Sequence, residues 1–204
     1  TTILDGMNAR RVLYQSSSFN TLTTWDGFTI QNGRATNYGN GGGVYMNNRG
    51  RLSHCIIRNN TAYYGGGVYA YSSTLSNCLV LNNTATYTGG GVYSRYVTIF
   101  NSTIVRNAAN NGAGIYGEYG GNMTNSIVWG NGTNEMNNII GTLSCSYSAI
   151  EGGYFGEHNI LLSEPLNQEP MFVSPSLTSG VSESASVADW HLLDGSPCIN
   201  RGNN

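Results

Sequence analysis

A short sequence unit recurs along this chain at a nearly constant interval. Gly-Gly-Gly-Val-Tyr stands at residues 41–45, 65–69 and 89–93 and returns as Gly-Ala-Gly-Ile-Tyr at 112–116, so consecutive copies start 24, 24 and 23 residues apart. A second element keeps step with it, namely His54-Cys55, Asn77-Cys78, Asn101-Ser102 and Asn125-Ser126. An internal repeat of this length is typical of a solenoid, a scaffold that specifies no chemistry by itself.

Each repeat consists of short strands rather than helices. In residues 65–88, apolar residues alternate with tyrosines, and serine or asparagine pairs separate the runs that follow. No window keeps the 3.6-residue period over the length that a helix needs, which also argues against a leucine-rich repeat. The abundant Val, Ile, Thr and Tyr favour strands, and the 28 glycines suit turns with positive φ. The repeat therefore predicts an all-β, parallel β-helix solenoid of about six coils, right-handed as parallel crossovers generally are, with an irregular C-terminal segment.

Alignment of the copies brings like residues into columns. The apolar columns are Val44, Val68, Val92 and Ile115; Leu52, Leu75, Ile99 and Met123; and Ile57, Val80, Ile104 and Val128. A polar column contains Asn60, Asn83, Asn107 and Asn131. Coils of a parallel β-helix lie about 4.8 Å apart, so equivalent side chains touch. We expect the asparagines to form a structural amide ladder at an inward bend, where it satisfies buried polar groups.

The four cysteines do not form a recognisable disulfide framework. Cys55 and Cys78 occupy one column, one coil apart, and that spacing exceeds the Cβ separation of roughly 3.8 Å that a disulfide prefers. We expect both to be buried, reduced and stacked. A bridge between Cys145 and Cys198 stays an open alternative. Zinc binding is not expected, because the chain has no Cys-x-x-Cys pair.

Several sequence segments resemble those of one known protein family. They are Ile3-Leu4-Asp5-Gly6, Trp25-Asp26-Gly27-Phe28-Thr29-Ile30, the glycine repeats, and the tail segments Pro170-Met171-Phe172-Val173 and Asp189-Trp190-His191-Leu192. The chain resembles bacterial secreted right-handed parallel β-helix proteins of the pectate-lyase-like superfamily, in the non-catalytic, adhesin-like branch related to polymorphic outer-membrane proteins. The resemblance implies an extracellular or bacterial cell-surface location and a piece of a longer secreted protein, with neighbouring domains as partners.

Composition excludes two classes of partner. The chain has nine arginines, no lysine and eleven acidic residues, for a formal net charge of −2. No cationic cluster is available to neutralise nucleic-acid phosphates. No run approaches the roughly 18 apolar residues that indicate a membrane-spanning helix, so membrane insertion is not expected.

The acidic residues are placed poorly for catalysis. Polysaccharide lyases and hydrolases need clustered carboxylates, yet residues 41–117 contain no Asp or Glu. We therefore expect no catalytic residues. The alternative is a carbohydrate-active enzyme with acids in the 118–169 region, such as Glu118, Glu135 and Glu151. Asp5 and Asp26 each precede a glycine and, if stacked at the N-terminal end, are candidate calcium ligands; no other cofactor is indicated.

Tyrosines supply the main candidate for binding. The valines of the repeat point inward, so the next residues, Tyr45, Tyr69, Tyr93 and Tyr116, are expected to point outward in a file. Aromatic rings suit both sugars and protein partners. The competing interpretation is that the rings only stabilise the ladder, and in either case we expect the removal of Tyr69 to cost about 1 kcal/mol.

A second outward file, which includes Ile56, Leu79 and Ile127, is apolar and needs a cover. We expect the C-terminal segment, with Pro170, Phe172, Trp190 and Leu192, to provide it. The domain therefore divides into coils at 1–149 and a covering segment at 150–204.

Taken together, these features predict a non-catalytic extracellular β-helix module, an adhesin-like scaffold that binds glycan or protein on an exposed face. The enzyme described above and a purely structural stalk are the alternatives.

Overall fold

The computed structural model describes residues 2–16, 21–132, 138–162, 170–174, 189–194, 196 and 198. In these residues, short strands alternate with turns and wind into a right-handed parallel β-helix of about six coils. The predicted fold class is thereby confirmed. Within the described residues, no helix is long and apolar enough to cross a bilayer.

Three parallel sheets form the walls of the solenoid. Sheet A, the longest, contains β1 (Thr2–Asp5), β4 (Phe28–Gln31), β7 (Ile56–Arg58), β11 (Leu79–Leu81), β15 (Thr103–Val105), β18 (Ile127–Trp129), β21 (Ala149–Glu151) and β22 (Ile160–Leu162). Sheet A therefore continues past the expected boundary at 149, which falls inside β21.

Sheets B and C complete each coil. Sheet B contains β2 (Leu13–Gln15), β5 (Val44–Asn47), β9 (Val68–Tyr71), β13 (Val92–Arg95), β16 (Ile115–Gly117) and β19 (Ile139–Gly141). Sheet C contains β3 (Thr23–Asp26), β6 (Gly50–Ser53), β10 (Thr74–Ser76), β14 (Val97–Phe100), β17 (Gly121–Thr124) and β20 (Ser144–Ser146). Between sheets A and B, two strands form a further parallel pair, β8 (Thr61–Tyr64) and β12 (Thr84–Thr88).

The core lies inside the coils and follows the predicted columns. Val80 pairs with Ile57 on one side and Ile104 on the other, and Val68 pairs with Val44 and Val92. All of these side chains are fully buried. Burial of one such side chain contributes about 1.5–3 kcal/mol, so each column of stacked side chains stabilises the scaffold.

The glycine repeat marks the turn that leads into sheet B. Gly65 has φ +62°, a left-handed conformation that glycine adopts without a steric penalty. Gly67 is constrained by space instead, because a Cβ there would lie 2.9 Å from the amide nitrogen of Asn83. The repeated glycines thus follow from the backbone turn and from the asparagines that fill the bend.

A C-terminal antiparallel hairpin packs against the outside of sheet A. It consists of β23 (Phe172–Ser174) and β24 (Asp189–Leu192). Phe172 is only 7% exposed and belongs to one apolar cluster with Leu81, Val105 and Trp129. Other side chains that pack against this cluster are Ile56, Leu79, Ile127, Leu192 and Cys198. The expected cover over the apolar file is therefore present, whereas the side chain of Trp190 lies outside the described residues.

Candidate binding surface

A ladder of stacked tyrosines runs up the outer side of sheet B. The strand register aligns Tyr45 with Tyr69, Tyr69 with Tyr93, and Tyr93 with Tyr116. Successive ring centroids lie 5.2, 4.9 and 5.3 Å apart with interplanar angles of 3°, 12° and 26°. Tyr14 adds a fifth ring at 5.1 Å from Tyr45. We call Tyr14, Tyr45, Tyr69, Tyr93 and Tyr116 the tyrosine ladder.

The inner rings of the ladder are less accessible than their outward direction suggests. Tyr69 and Tyr93 lie in the outward file that the sequence predicts, yet they are only 8% and 7% exposed. Parity along a strand predicts the side on which a residue lies, but not what its neighbours cover. Because stacked neighbours occupy both faces of an inner ring, the ladder offers solvent mainly ring edges.

An ion pair joins the ladder to a second file of rings. Glu118 accepts hydrogen bonds from the Tyr93 hydroxyl and from Arg95 Nε, both at 2.5 Å. Arg95 also donates to the Tyr69 hydroxyl at 3.2 Å and lies 5.2 Å from the centroid of the Tyr119 ring. Sequence reasoning missed Arg95 as a site residue, because it occurs once and leaves no signal in the repeat.

Proton affinities around this ion pair shift together. The hydrogen bond from Arg95 holds the pKa of the Glu118 carboxyl below its ordinary value. Burial, followed by the hydrogen bond to Glu118, raises the pKa of the Tyr93 phenol. Glu118 is therefore ionised and Tyr93 protonated at neutral pH, and the charge of Arg95 is balanced.

The second file consists of exposed rings, Tyr71, Tyr96 and Tyr119, which we call the rim file. Tyr96 and Tyr119 are 53% and 55% exposed, and their centroids lie 6.0 Å apart in a stacked arrangement. Tyr71 meets Tyr96 edge-on at 5.9 Å. The three residues are spaced by 25 and 23 positions, close to the repeat period. This spacing is the sequence feature from which the rim file could be predicted.

A third group of rings lies at the turn before sheet B. Tyr63 stacks on Tyr87 at 5.4 Å, and Tyr38 packs edge-on against Tyr63. Tyr64 connects this turn cluster to the ladder through an edge contact with Tyr93 at 5.5 Å. The tyrosine ladder, the rim file and the turn cluster (Tyr38, Tyr63, Tyr64 and Tyr87) form one continuous surface, which we call the tyrosine face.

Arg11 closes the N-terminal end of the face. Its guanidinium lies 5.3 Å from the centroids of both Tyr14 and Tyr45. It also donates to the carbonyl oxygens of Asn40 and Gly41 at 2.6–3.1 Å. Nε and Nη2 of this arginine are directed at the backbone, so its role here is to hold the end of the ladder against the turn.

Two of the acids considered for the alternative enzyme, Glu118 and Glu151, take part in structural contacts. Glu151 accepts hydrogen bonds from the backbone nitrogen of Gly130 at 2.7 Å and from the side-chain amide of Asn138 at 2.8 Å. Glu118 is held by Arg95 and Tyr93 as described. Glu135 lies outside the described residues. Neither Glu118 nor Glu151 is placed as a free acid or base opposite another carboxylate.

The four asparagines of the polar column are fully buried and joined by hydrogen bonds. Asn83 Oδ1 accepts from the backbone and side-chain nitrogens of Asn60 at 3.0 and 2.9 Å, and Asn107 and Asn131 repeat this pattern. Asn138, which accepts from Asn131, and then Glu151 continue the ladder. Sequence reasoning missed Asn138, which stands only seven positions after Asn131, away from the repeat period.

The cysteines are free thiols. Cys55 and Cys78 are 1% and 3% exposed and lie in the apolar core. Burial raises the pKa of the Cys78 thiol to about 12, which leaves it unreactive at neutral pH. Cys145 packs in the core, whereas Cys198 packs in the cluster under the hairpin, so the structure does not bridge them.

Asp5 and Asp26 do not share a site. Asp5 ends β1 in sheet A and accepts from Gln31 and Asn32 at 2.7 and 3.0 Å. Asp26 ends β3 in sheet C and pairs with His54 at 2.9 Å. The stacking on which a calcium site at these two carboxylates would depend is therefore not present. In the part of the chain that the structure describes, no group of three His, Cys, Asp or Glu side chains is arranged to hold a metal ion.

Comparison with known proteins agrees with the architecture. The family model described as a right-handed β-helix region matches residues 6–153, which include sheets B and C, sheet A apart from its first and last strands, and the tyrosine face. No match to this chain was found among curated proteins or among solved structures. The family match covers well over half of the chain, and with the stacked parallel coils it leads to one conclusion: the chain belongs to the right-handed β-helix family.

Proposed function

We propose that this chain is a non-catalytic β-helix module of a larger bacterial secreted or cell-surface protein, and that it binds a glycan through the tyrosine face. The observation that carries the proposal is the arrangement of the rim file beside the ladder. Tyr96 and Tyr119 are each more than half exposed, while the rings behind them are fixed by stacking.

Pre-organisation favours binding on this face. A ring held by its neighbours and by the Arg95–Glu118 ion pair has few rotamers to lose when a ligand docks, which lowers the entropic cost of association. Tyrosine combines an apolar ring with a hydroxyl that donates and accepts hydrogen bonds, and sugars combine apolar ring faces with hydroxyls. A protein partner is the other ligand class that suits such a surface.

The alternative enzyme is less favoured by the same structure. Glycoside hydrolysis requires a pair of carboxylates across the scissile bond, whereas Glu118 and Glu151 both take part in fixed hydrogen-bond networks. We expect no reducing-end release and no unsaturated products from a panel of polysaccharides, with or without calcium. Turnover that disappears in Glu118→Gln or Glu151→Gln would favour the enzyme instead.

A glycan array tests the binding proposal. The native chain should bind a restricted set of glycans, and the double variant Tyr96→Ala/Tyr119→Ala should lose that binding. Tyr147→Ala is the matched control, because Tyr147 stacks on His158 away from this face. Absence of binding to every glycan, or equal binding by the double variant, would overturn the proposal; equal binding would place the site elsewhere on the chain.

A further inference from the structure

The tyrosine face repeats once per coil along the axis of the solenoid. The four steps of the ladder measure 4.9–5.3 Å between ring centroids, and the two steps of the rim file measure 5.9 and 6.0 Å. A ligand that advances by one unit per coil meets a register-equivalent ladder tyrosine at each step. A rim tyrosine lies beside the ladder in three of the coils, although Tyr71 pairs in register with Arg95 rather than with Tyr96. A matching ligand is an extended polymer whose rise per monomer unit equals the distance between successive coils.

Extended peptides do not match this spacing one residue to one coil. A β-strand advances about 3.3 Å per residue and a polyproline II helix about 3.1 Å. An extended β-1,4-linked pyranose chain advances by nearly the same distance per sugar as the solenoid does per coil, an advance that the stacked ladder rings mark at 4.9–5.3 Å. A β-1,3-linked chain coils and loses that register. The spacing favours a β-1,4-linked glycan over a peptide.

The charges on the face favour a neutral chain. The two arginines that contact these rings have partners in the protein: Arg95 pairs with Glu118 at 2.5 Å, and Arg11 donates to backbone carbonyl oxygens. An anionic polymer such as a polyuronate would need a cation free to pair with each of its carboxylates. The rings themselves present apolar edges and phenol hydroxyls, which suit sugar CH groups and sugar hydroxyls.

The mode of contact follows from the stacking. Neighbouring rings cover the faces of Tyr69 and Tyr93, so a sugar cannot lie flat on them. It can lie beside the rim file, where Tyr71, Tyr96 and Tyr119 are all more than a third exposed. A chain parallel to the solenoid axis contacts one rim or ladder ring at each coil, and the ladder extends over five coils.

We infer that the tyrosine face takes a neutral β-1,4-linked pyranose chain aligned with the solenoid axis, with one sugar per coil. This inference rests on the proposed function and names its ligand class. We expect three properties of the binding affinity. The affinity depends on the length of the glycan, it depends on the linkage between the sugars, and it does not change with salt because no ion pair is formed.

Isothermal titration calorimetry with cello-oligosaccharides of increasing length tests these three expectations. Affinity should rise with each added sugar up to about five and then level off, with little change between low and high salt. Malto-oligosaccharides, laminari-oligosaccharides and oligogalacturonates of equal length should bind at least about tenfold more weakly. Tyr96→Ala should weaken binding about tenfold, which corresponds to 1.4 kcal/mol, and Tyr147→Ala should leave it unchanged.

The outcomes separate this inference from the proposed function. Preference for oligogalacturonate, or for another linkage, that is lost in Tyr96→Ala would overturn the ligand class and leave the binding face in place. Failure of every glycan to bind would overturn both. Because Tyr96 is half exposed, its alanine variant should fold; an unchanged melting temperature confirms this, and Tyr119→Ala provides a second variant with the same expected loss.

Discussion

The Cβ atom that Gly67 lacks would lie 2.9 Å from Nδ2 of Asn83 and 2.7 Å from the carbonyl oxygen of Gly91. The same relationship joins Gly43 to Asn60 at 2.8 Å and Gly91 to Asn107 at 2.9 Å. The third glycine of each repeat and the asparagine of the polar column recur with the same period because each requires the other. The asparagine amides fill the inside of the bend, and only glycine leaves them room.

Gly67→Ala should destabilise the chain by about 1–3 kcal/mol, the usual cost of overpacking a filled interior. Gly67 does not have a positive φ, so the cost is steric. A double-mutant cycle with Asn83→Ala, measured by urea unfolding, should show that the glycine substitution costs less once the amide is gone. The exposed Asn110→Ala serves as control. An equal cost in both backgrounds would contradict the relationship.

Tyr69→Ala should cost about 3 kcal/mol, more than the 1 kcal/mol expected from the sequence. The ring is 8% exposed and stacked on both sides, so its removal leaves a cavity much as it would in a core. Val68→Ala, on the inner side of the same strand, should cost about 2 kcal/mol or more. Thermal and urea unfolding measure both. A cost below about 1 kcal/mol for Tyr69→Ala would mean that the ladder contributes little to the fold.

Phe172→Ala should loosen the C-terminal hairpin and expose the apolar file of sheet A. Phe172 is 7% exposed and packs with Leu81, Val105 and Trp129, whereas the next residue, Val173, is 47% exposed. We expect a loss of about 3 kcal/mol for Phe172→Ala and less than about 0.5 kcal/mol for Val173→Ala. Binding of a hydrophobic dye should increase only in the first variant. Equal behaviour of the two variants would show that the hairpin does not cover the file.

Glu118→Gln should change how stability depends on pH. The pKa of the Glu118 carboxyl is lowered in the folded state, chiefly by Arg95, so its contribution to stability is present above the ordinary pKa of 4.5 and is lost as pH falls through the folded value. The native chain should therefore exceed the variant in stability at neutral pH, and the difference should shrink on acidification below about 4.5.

Urea unfolding over a pH series measures this difference, with the exposed Glu157→Gln as the matched control. If the difference in free energy of unfolding between the native chain and Glu118→Gln stays constant or widens in acid, the Arg95–Glu118 pair does not stabilise the fold.

The repeat itself predicted the parts of the structure that repeat. Columns such as Ile57, Val80 and Ile104 follow from period and strand parity, because equivalent residues of successive coils must touch. Arg95 and Glu118 were not predicted as a pair, because neither recurs at the equivalent position of the other repeats. Their contact also depends on how far the two side chains extend. Asn138 was missed because it lies outside the period. The alternation of residues along a strand also could not predict the exposed fraction of Tyr69, because the rings that cover it belong to neighbouring coils.

Footprinting of tyrosines tests most directly whether the tyrosine face binds a glycan. Phenols accessible to tetranitromethane are nitrated and located by mass spectrometry, with and without the glycan that binds most tightly. We expect the glycan to protect Tyr71, Tyr96 and Tyr119 and to leave Tyr147 as reactive as before. Protection confined to Tyr147 or to residues outside this face, or unchanged nitration of the rim file at saturating glycan, would contradict this expectation.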